Sequence, residues 1–334
     1  MTANLLASGR ATPSAPPAEP LFPHPVRHPG SGLHTRHGRF APSPTGALHF
    51  GSLIAAVGSF AEARHPAAGG PGSWQVRIDD LDRTREVPGA AAAILQTLEA
   101  FGLHWDGAVY YQSHRGGAYA DALAQLRTRG LTYPCCCSRR EIAARGRPGP
   151  EGPLYPGTCR NGLVSERHPR SERLRVPPIS IRIEDAVQGP LTQHLASAVG
   201  DFVLRRADGL YAYQLAVVVD DAAQGIDQVV RGADLLASTP RQAYLQHLLG
   251  LPRPRYAHLP IALDPAGRKL SKSLAAVPVD PANPLPALLL AWTFLGQPPL
   301  PQPPADVAEF WALALPRWSL AAVPHGQKQP LLSV

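Results

Sequence analysis

The chain has 334 residues, 44% hydrophobic and 17% charged, enough for one large or two modest domains, which excludes a short peptide, a disulfide-stapled miniature and a mainly disordered chain. Its longest apolar run, around Leu285 to Leu295, falls short of the about 18 residues a spanning helix needs, so no membrane insertion is expected. Lys plus Arg is 32 against 25 acidic residues, a net charge of +7 that permits an anionic partner such as nucleic acid without requiring one.

Residues 1–37 carry prolines at 13, 16, 17, 20, 23, 25 and 29 and no apolar periodicity, which predicts a disordered extension. The segment has neither the apolar stretch of a secretory signal nor a proline-free amphipathic helix, so cytoplasmic residence is expected. Arg39-Phe40-Ala41 reads as a strand entering the turn Pro42-Ser43-Pro44-Thr45-Gly46. A helix follows from Leu48 to about Arg64, with Ile54, Val57 and Phe60 at helical spacing. Trp74 to Ile78 is a second strand, and Pro88 to Phe101 and Ala118 to Arg129 are helices, the first with Pro at its first position. This alternation predicts an α/β domain with a parallel sheet. Between about Tyr133 and Ser197 the pattern breaks into Pro, Gly, Arg and Cys, as an insertion would. Regular structure returns at Asp201 to Arg206, where Asp208-Gly209 reads as a hairpin turn into Tyr211 to Val219. Ser238-Thr239-Pro240 starts a helix to Leu249, and short helices near Leu285 to Leu295 and Ala305 to Leu315 end the chain.

Three constellations carry chemistry. In the first, Thr45, Gly46, His49, Gly51 and Ser52 form a Gly-containing turn and helix start that bring backbone N–H groups near a polyphosphate, with His49 able to donate to it. Alone, such a turn is common. The second is Lys269-Leu270-Ser271-Lys272-Ser273, whose lysines stand out because the only other lysine is Lys328. Compact ammonium groups suit charge developing on a triphosphate, although a solvated basic loop is the ordinary reading of such a pentapeptide. The third gathers all four cysteines, at 135, 136, 137 and 159, too close together for a disulfide framework; a metal site in a reducing compartment fits better, with buried free thiols as the alternative.

Together the first two resemble the HIGH and KMSKS signatures of class I aminoacyl-tRNA synthetases. The wider strings Arg39 to Gly46, Arg77-Ile-Asp-Asp-Leu-Asp82, Gly102 to Asp106, Val217-Val-Val-Asp-Asp221, Val230-Arg-Gly-Ala-Asp234 and His258-Leu-Pro260 are similar to the glutamyl branch. Within it the chain most resembles the truncated group that glutamylates queuosine in tRNA(Asp): the tail after Leu274 is too short for the anticodon-binding region of a full glutamyl-tRNA synthetase. The resemblance implies a Rossmann-type catalytic domain, split into residues 38–132 and 201–275, with a zinc-bearing, acceptor-type insertion at 133–200 and a short helical tail at 276–334.

Carried over by motif, catalysis falls to His49 and Lys272, and ATP binding to Thr45, Gly46, His49, Gly51, Ser52, Lys269, Ser271 and Lys272, with Mg2+ accompanying ATP. Glutamate falls to Arg39, Phe40, Ala41, Pro42, Ser43, Asp79, Tyr213 and Arg231, with Asp79 standing where the family usually has Glu. One structural Zn2+ falls to Cys135, Cys137, Tyr155 and Cys159. Cys136, an addition to the family pattern, points the other way if the segment is extended. The implied activity of this ligase is ATP-dependent activation of L-glutamate and its transfer to the queuosine base at the wobble position of tRNA(Asp), by a monomer. The alternatives are a truncated enzyme charging the 3′ end of tRNA(Glu) and a non-catalytic zinc-bearing RNA-binding module.

Overall fold

The computed structural model describes residues 36–66, 72–163, 167–263 and 278–330. The expected extension, apart from its last two residues, and the segment carrying Lys269, Ser271 and Lys272 lie outside the described residues.

Two groups of parallel strands meet along one edge. In the first, His37–Phe40 pairs with Ser73–Ile78, which pairs with Tyr110–Tyr111. In the second, Gln228–Gly232 pairs with Arg255–Leu259, and Tyr256 with Asp185 at the end of Ser180–Asp185. Gly189–His194 closes that side antiparallel. The groups adjoin where Asp227 N–H donates to the His37 carbonyl at 3.1 Å and Arg39 Nη1 donates to the Val230 carbonyl at 3.4 Å. The strand order therefore reverses between His37–Phe40 and Gln228–Gly232, and beyond the carboxyl ends of such a junction an open α/β sheet binds its ligands.

The Phe50–Arg64 helix crosses this junction, and its buried residues run almost continuously from Leu53 to Ala63. It is covered on several sides, so its Gly58 has a use: a Cβ there would come within 2.6 Å of Leu259 Cδ1. The C-terminal segment is part of the same core. Trp292, Phe310, Trp311 and Trp318 join Trp74 and Phe60 in one hydrophobic cluster. Trp311 Nε1 donates to the Phe101 carbonyl at 2.9 Å, and Trp318 Nε1 to Glu62 at 2.6 Å.

Three expectations are corrected. The helix expected from Pro88 starts at Ala90, because Gly89 takes a left-handed conformation at φ +80° as its N-cap. Tyr211 to Val219 is not the second arm of a hairpin: after a single bridge from Arg205 to Tyr211 the chain turns into the helix Tyr213–Ala223. Its Leu215 to Val218 are buried in a second core, with Tyr119, Leu123, Leu245 and Leu248 from the Gly116–Thr128 and Thr239–Leu249 helices. Strand pairing also crosses the expected insertion edges. Ser180–Asp185 belongs to the main sheet, whereas Val203–Arg205, expected in the catalytic half, pairs antiparallel with Ser171–Leu174 beside Thr132–Cys135.

Candidate active site and cysteine cluster

The loop after Phe40 is pinned to the neighbouring strand end. Asp79 N–H donates to the Pro42 carbonyl and Val87 N–H to the Pro44 carbonyl, both at 2.9 Å. Gly46 sits at φ +146°, where a side chain is disfavoured. Ser43 and Thr45 are exposed. Phe40 stacks on Trp74 in the core, so it offers the site only its backbone.

His49 caps the helix that follows: its Nδ1 accepts from Ser52 N–H at 3.2 Å, and its Nε2 lies 3.1 Å from Ser52 Oγ. With Nδ1 accepting, the ring proton resides on Nε2, facing the Ser52 hydroxyl. Gly51 leaves room for this ring, since a Cβ there would meet it at 3.2 Å. Past residues 264–277 the chain returns to this point. Pro278 bridges to His49, and Val279 N–H donates to the Leu48 carbonyl at 3.0 Å.

The amino-acid candidates form two buried groups linked through the backbone at Val230. In the first, Arg77 is fully buried; its Nε donates to Asp79 at 2.7 Å and its Nη1 to Asp221 at 2.6 Å. Asp221 also accepts from Arg39 Nε at 3.3 Å. Burial pushes the Asp79 carboxyl up to about 6, only partly offset by Arg77. Asp221, equally buried, is nonetheless held below the usual carboxylate range by the Arg39 and Arg77 guanidiniums. In the second group, Arg231 Nη1 donates to the Tyr213 hydroxyl at 3.4 Å. Arg231 also reaches Gln242 at 2.8 Å, Thr239 at 3.0 Å and His258 at 3.0 Å. His258 in turn meets Asp185 at 2.5 Å. Of the residues expected to bind glutamate, the arrangement presents two buried guanidiniums, Arg39 and Arg231, with the Asp79 carboxylate and the Tyr213 phenol, a set complementary to a small ligand bearing carboxylates and an ammonium.

Sequence reasoning passed over Arg77, Asp221, Asp185, His258, Thr239 and Gln242. Four of these lie inside the motif strings Arg77 to Asp82, Val217 to Asp221 and His258 to Pro260 or in a strand paired with them. Only their burial singles them out.

The cysteine cluster lies on the antiparallel sheet. The Sγ atoms of Cys135, Cys137 and Cys159 all fall within 4.8 Å of one another. Tyr155 Oη lies 3.4 Å from Cys135 Sγ and 3.7 Å from Cys137 Sγ, and accepts from Cys159 N–H at 2.7 Å. These separations suit one tetrahedral ion with M–S bonds of about 2.3 Å, so the four residues could hold a metal. Burial pushes the Cys137 thiol up to about 11, whereas at Cys159 hydrogen bonds from the Cys136 backbone and Tyr155 outweigh burial and bring the thiol down to about 7. Arg173 supplies a balancing charge: its Nε lies 3.4 Å from Cys135 Sγ and its guanidinium 4.0 Å above the Tyr155 ring. Cys136 does not point away as an extended segment would place it. Its Sγ is buried 3.6 Å from Cys159 Sγ.

A model of the catalytic domain of class I tRNA synthetases (E and Q) matches residues 35–282. The chain belongs to this family. It is therefore a ligase of the aminoacyl-tRNA synthetase type. A glutamyl-Q tRNA(Asp) synthetase of Aromatoleum aromaticum is 54% identical over 86% of the chain and 90% of the relative. One of Dechloromonas aromatica is 55% identical over 86% and 95%. Among solved structures, the glutamate-tRNA synthetase of Elizabethkingia anophelis aligns with a TM-score of 0.71 at 26% identity, over 87% of this chain and 67% of that one. The synthetase thus shares the class I α/β catalytic fold, and among the described residues no helix is long and apolar enough to cross a membrane.

Proposed function

We propose that this enzyme activates L-glutamate with ATP and transfers the glutamyl group to the queuosine base of tRNA(Asp). What supports the reading is that Arg39 and Asp79 lie in one polar group and Tyr213 and Arg231 in a second, linked through the Val230 carbonyl at the strand-order reversal, in a chain that covers nine-tenths or more of relatives bearing that name. Arg39 and Arg231 supply guanidiniums for the two carboxylates of glutamate, and Asp79 accepts from its ammonium. Asp79 is one methylene shorter than the family's usual Glu, so a water or a small shift bridges to the ammonium.

In the first step a glutamate α-carboxylate oxygen attacks the α-phosphorus of ATP; the bond to the β-phosphate oxygen breaks and pyrophosphate leaves. No side-chain nucleophile is needed. His49 Nε2–H, Lys269, Ser271 and Lys272 hold the phosphates as charge moves onto the leaving group, and Thr45, Gly46, Gly51 and Ser52 shape the approach. Mg2+ bound with ATP offsets phosphate charge. In the second step a queuosine hydroxyl attacks the acyl carbon and AMP leaves.

Cys135, Cys137, Tyr155 and Cys159 would hold a Zn2+ that would supply a structural cross-link, orienting the insertion towards RNA. Beside them a cleft of about 590 Å3 is bordered by Arg127, Arg170, Arg205 and Arg206. It lies on the antiparallel sheet and not at the amino-acid pocket; Glu172 on its wall pairs with Arg127, and Arg170 and Arg205 suit a phosphate backbone.

Amino-acid-dependent exchange between ATP and pyrophosphate tests the first step. Exchange is expected with glutamate alone among the standard amino acids, and absence of glutamate-dependent exchange would remove the assignment.

A further inference from the structure

Arg231 is 5% exposed, yet among the described residues no carboxylate pairs with it; its guanidinium is met by the neutral acceptors Tyr213, Thr239, Gln242 and His258. A buried cation with neutral partners is costly unless those partners are held in place and an anion completes the site. The contact to His258 has a definite direction. A guanidinium has no acceptor, so Arg231 Nε must donate and His258 Nε2 must receive through a bare lone pair. The ring proton is then on Nδ1, which lies 2.5 Å from Asp185 Oδ2. The other oxygen of Asp185 accepts three backbone N–H groups, from Val187 at 3.1 Å, Gln188 at 2.8 Å and His258 itself at 3.1 Å. Burial works against the Asp185 carboxylate, but the His258 side chain first and these backbone N–H groups after it hold its carboxyl below the usual range, while burial pushes His258 down. The opposite tautomer would set two N–H donors against each other across 3.0 Å. The relay crosses three adjacent strands, with Arg231 paired in register to His258 and Asp185 to Tyr256.

We propose that Asp185 and His258 form a positioning dyad: Asp185 fixes the Nδ1–H tautomer of His258, and His258 holds the Arg231 guanidinium to receive a substrate carboxylate. The inference rests on Arg231 belonging to the glutamate pocket. Neither residue touches substrate. Their role is read through the affinity for glutamate and leaves ATP binding alone.

The tautomer is tested on the unmodified enzyme by nitrogen-15 NMR of labelled histidine, the His258 signals being those lost in His258→Gln. A bare Nε2 and a protonated Nδ1 are expected at neutral pH, and a protonated Nε2 would overturn the proposal. The second test compares two variants that remove the same ring. Glutamine at 258 can place an amide oxygen near the Nε2 position, whereas asparagine reaches only the Nδ1 position. His258→Asn is expected to raise the KM for glutamate in pyrophosphate exchange by about ten- to hundredfold, with Asp185→Asn moving the same way, while His258→Gln stays within about threefold of the parent. The KM for ATP should stay within about twofold in all three. Equal glutamate KM values in the two His258 variants, or an ATP KM that rises in step, would mean that the ring serves packing alone. A parent enzyme lacking glutamate-dependent exchange would remove the pocket assignment; a normal parent with unaltered variants would remove only the dyad.

Discussion

The amino-acid pocket and the cysteine cluster are both built from buried polar groups, but the first neutralises most of its charges within the protein and the second gathers thiols that could hold a metal. Around Arg77 and Asp221, charges from the Ser73–Ile78 strand and the Tyr213–Ala223 helix neutralise one another inside a sheet junction that large cores support. Around Cys159 the local core contains four buried residues, Tyr133, Cys135, Cys136 and Cys159. Preorganisation comes from the fold in one place and, on the proposed reading, from a bound metal in the other. Damage to the pocket should therefore be felt by the whole molecule, and damage to the cluster should remain local.

The largest expected effect is that of Asp221→Ala. It leaves Arg39 and Arg77 buried with one acceptor fewer each, and losing one partner of a buried ion pair costs about 3–5 kcal/mol. Urea unfolding should show that loss; unchanged stability would mean the pair contributes nothing that solvent cannot replace. Next is the double variant Cys135→Ser, Cys137→Ser. Bound zinc should fall from about one equivalent to almost none, while glutamate-dependent exchange survives within about threefold. Full zinc retention would show that the ligands are wrongly assigned, and loss of exchange would erase the distinction between the two regions.

Much of the pocket's scaffold was legible. The strand at Arg39, the turn through Gly46 and the helix to Arg64 follow from local pattern, because a tight turn and an apolar helical stretch need no distant partner to be recognised. Tyr211 to Val219 was misread because Asp208-Gly209 resembles a hairpin turn and Val217 to Val219 favour strands; burial between two helices overrides both signals. His258 entered only as part of a motif string and Asp185 not at all, so neither was read as a site residue. They lie 73 positions apart, and only strand order makes them neighbours. In the cluster the three thiols and Tyr155 lie together where the resemblance implied, but the direction of Cys136 depends on a bend that no spacing rule encodes.

Asp79 offers a finer test of the pocket. Its carboxyl is raised from 3.8 to about 6, so the folded chain holds that proton more tightly than the unfolded one. Its contribution to stability is thus full below about pH 4 and is lost as pH rises through about 6. Binding of the glutamate ammonium has the opposite sign, because it needs the ionised form. Calorimetric titration with glutamate, without ATP, should show affinity weakening by about tenfold per pH unit below about 6, and a flat profile in Asp79→Asn. A parent profile as flat as the variant's would detach Asp79 from the ammonium. The smallest effect belongs to the cluster's flank. Ser138 and Glu141 form a capping box on the Arg139–Arg145 helix, and Ser138→Ala should cost about 1 kcal/mol there. Chelator competition should register this as zinc binding weakened by up to about fivefold with exchange unchanged.

The acceptor decides the account as a whole. Radiolabelled glutamate, ATP and the full-length enzyme are incubated with tRNA(Asp) carrying queuosine and with the same tRNA lacking it, and the label is mapped after nuclease digestion. The account predicts label only on the queuosine-bearing tRNA, released with an anticodon-loop fragment. Equal labelling of both tRNAs, or label released with the 3′-terminal adenosine, would contradict it and assign the enzyme to charging at the 3′ end.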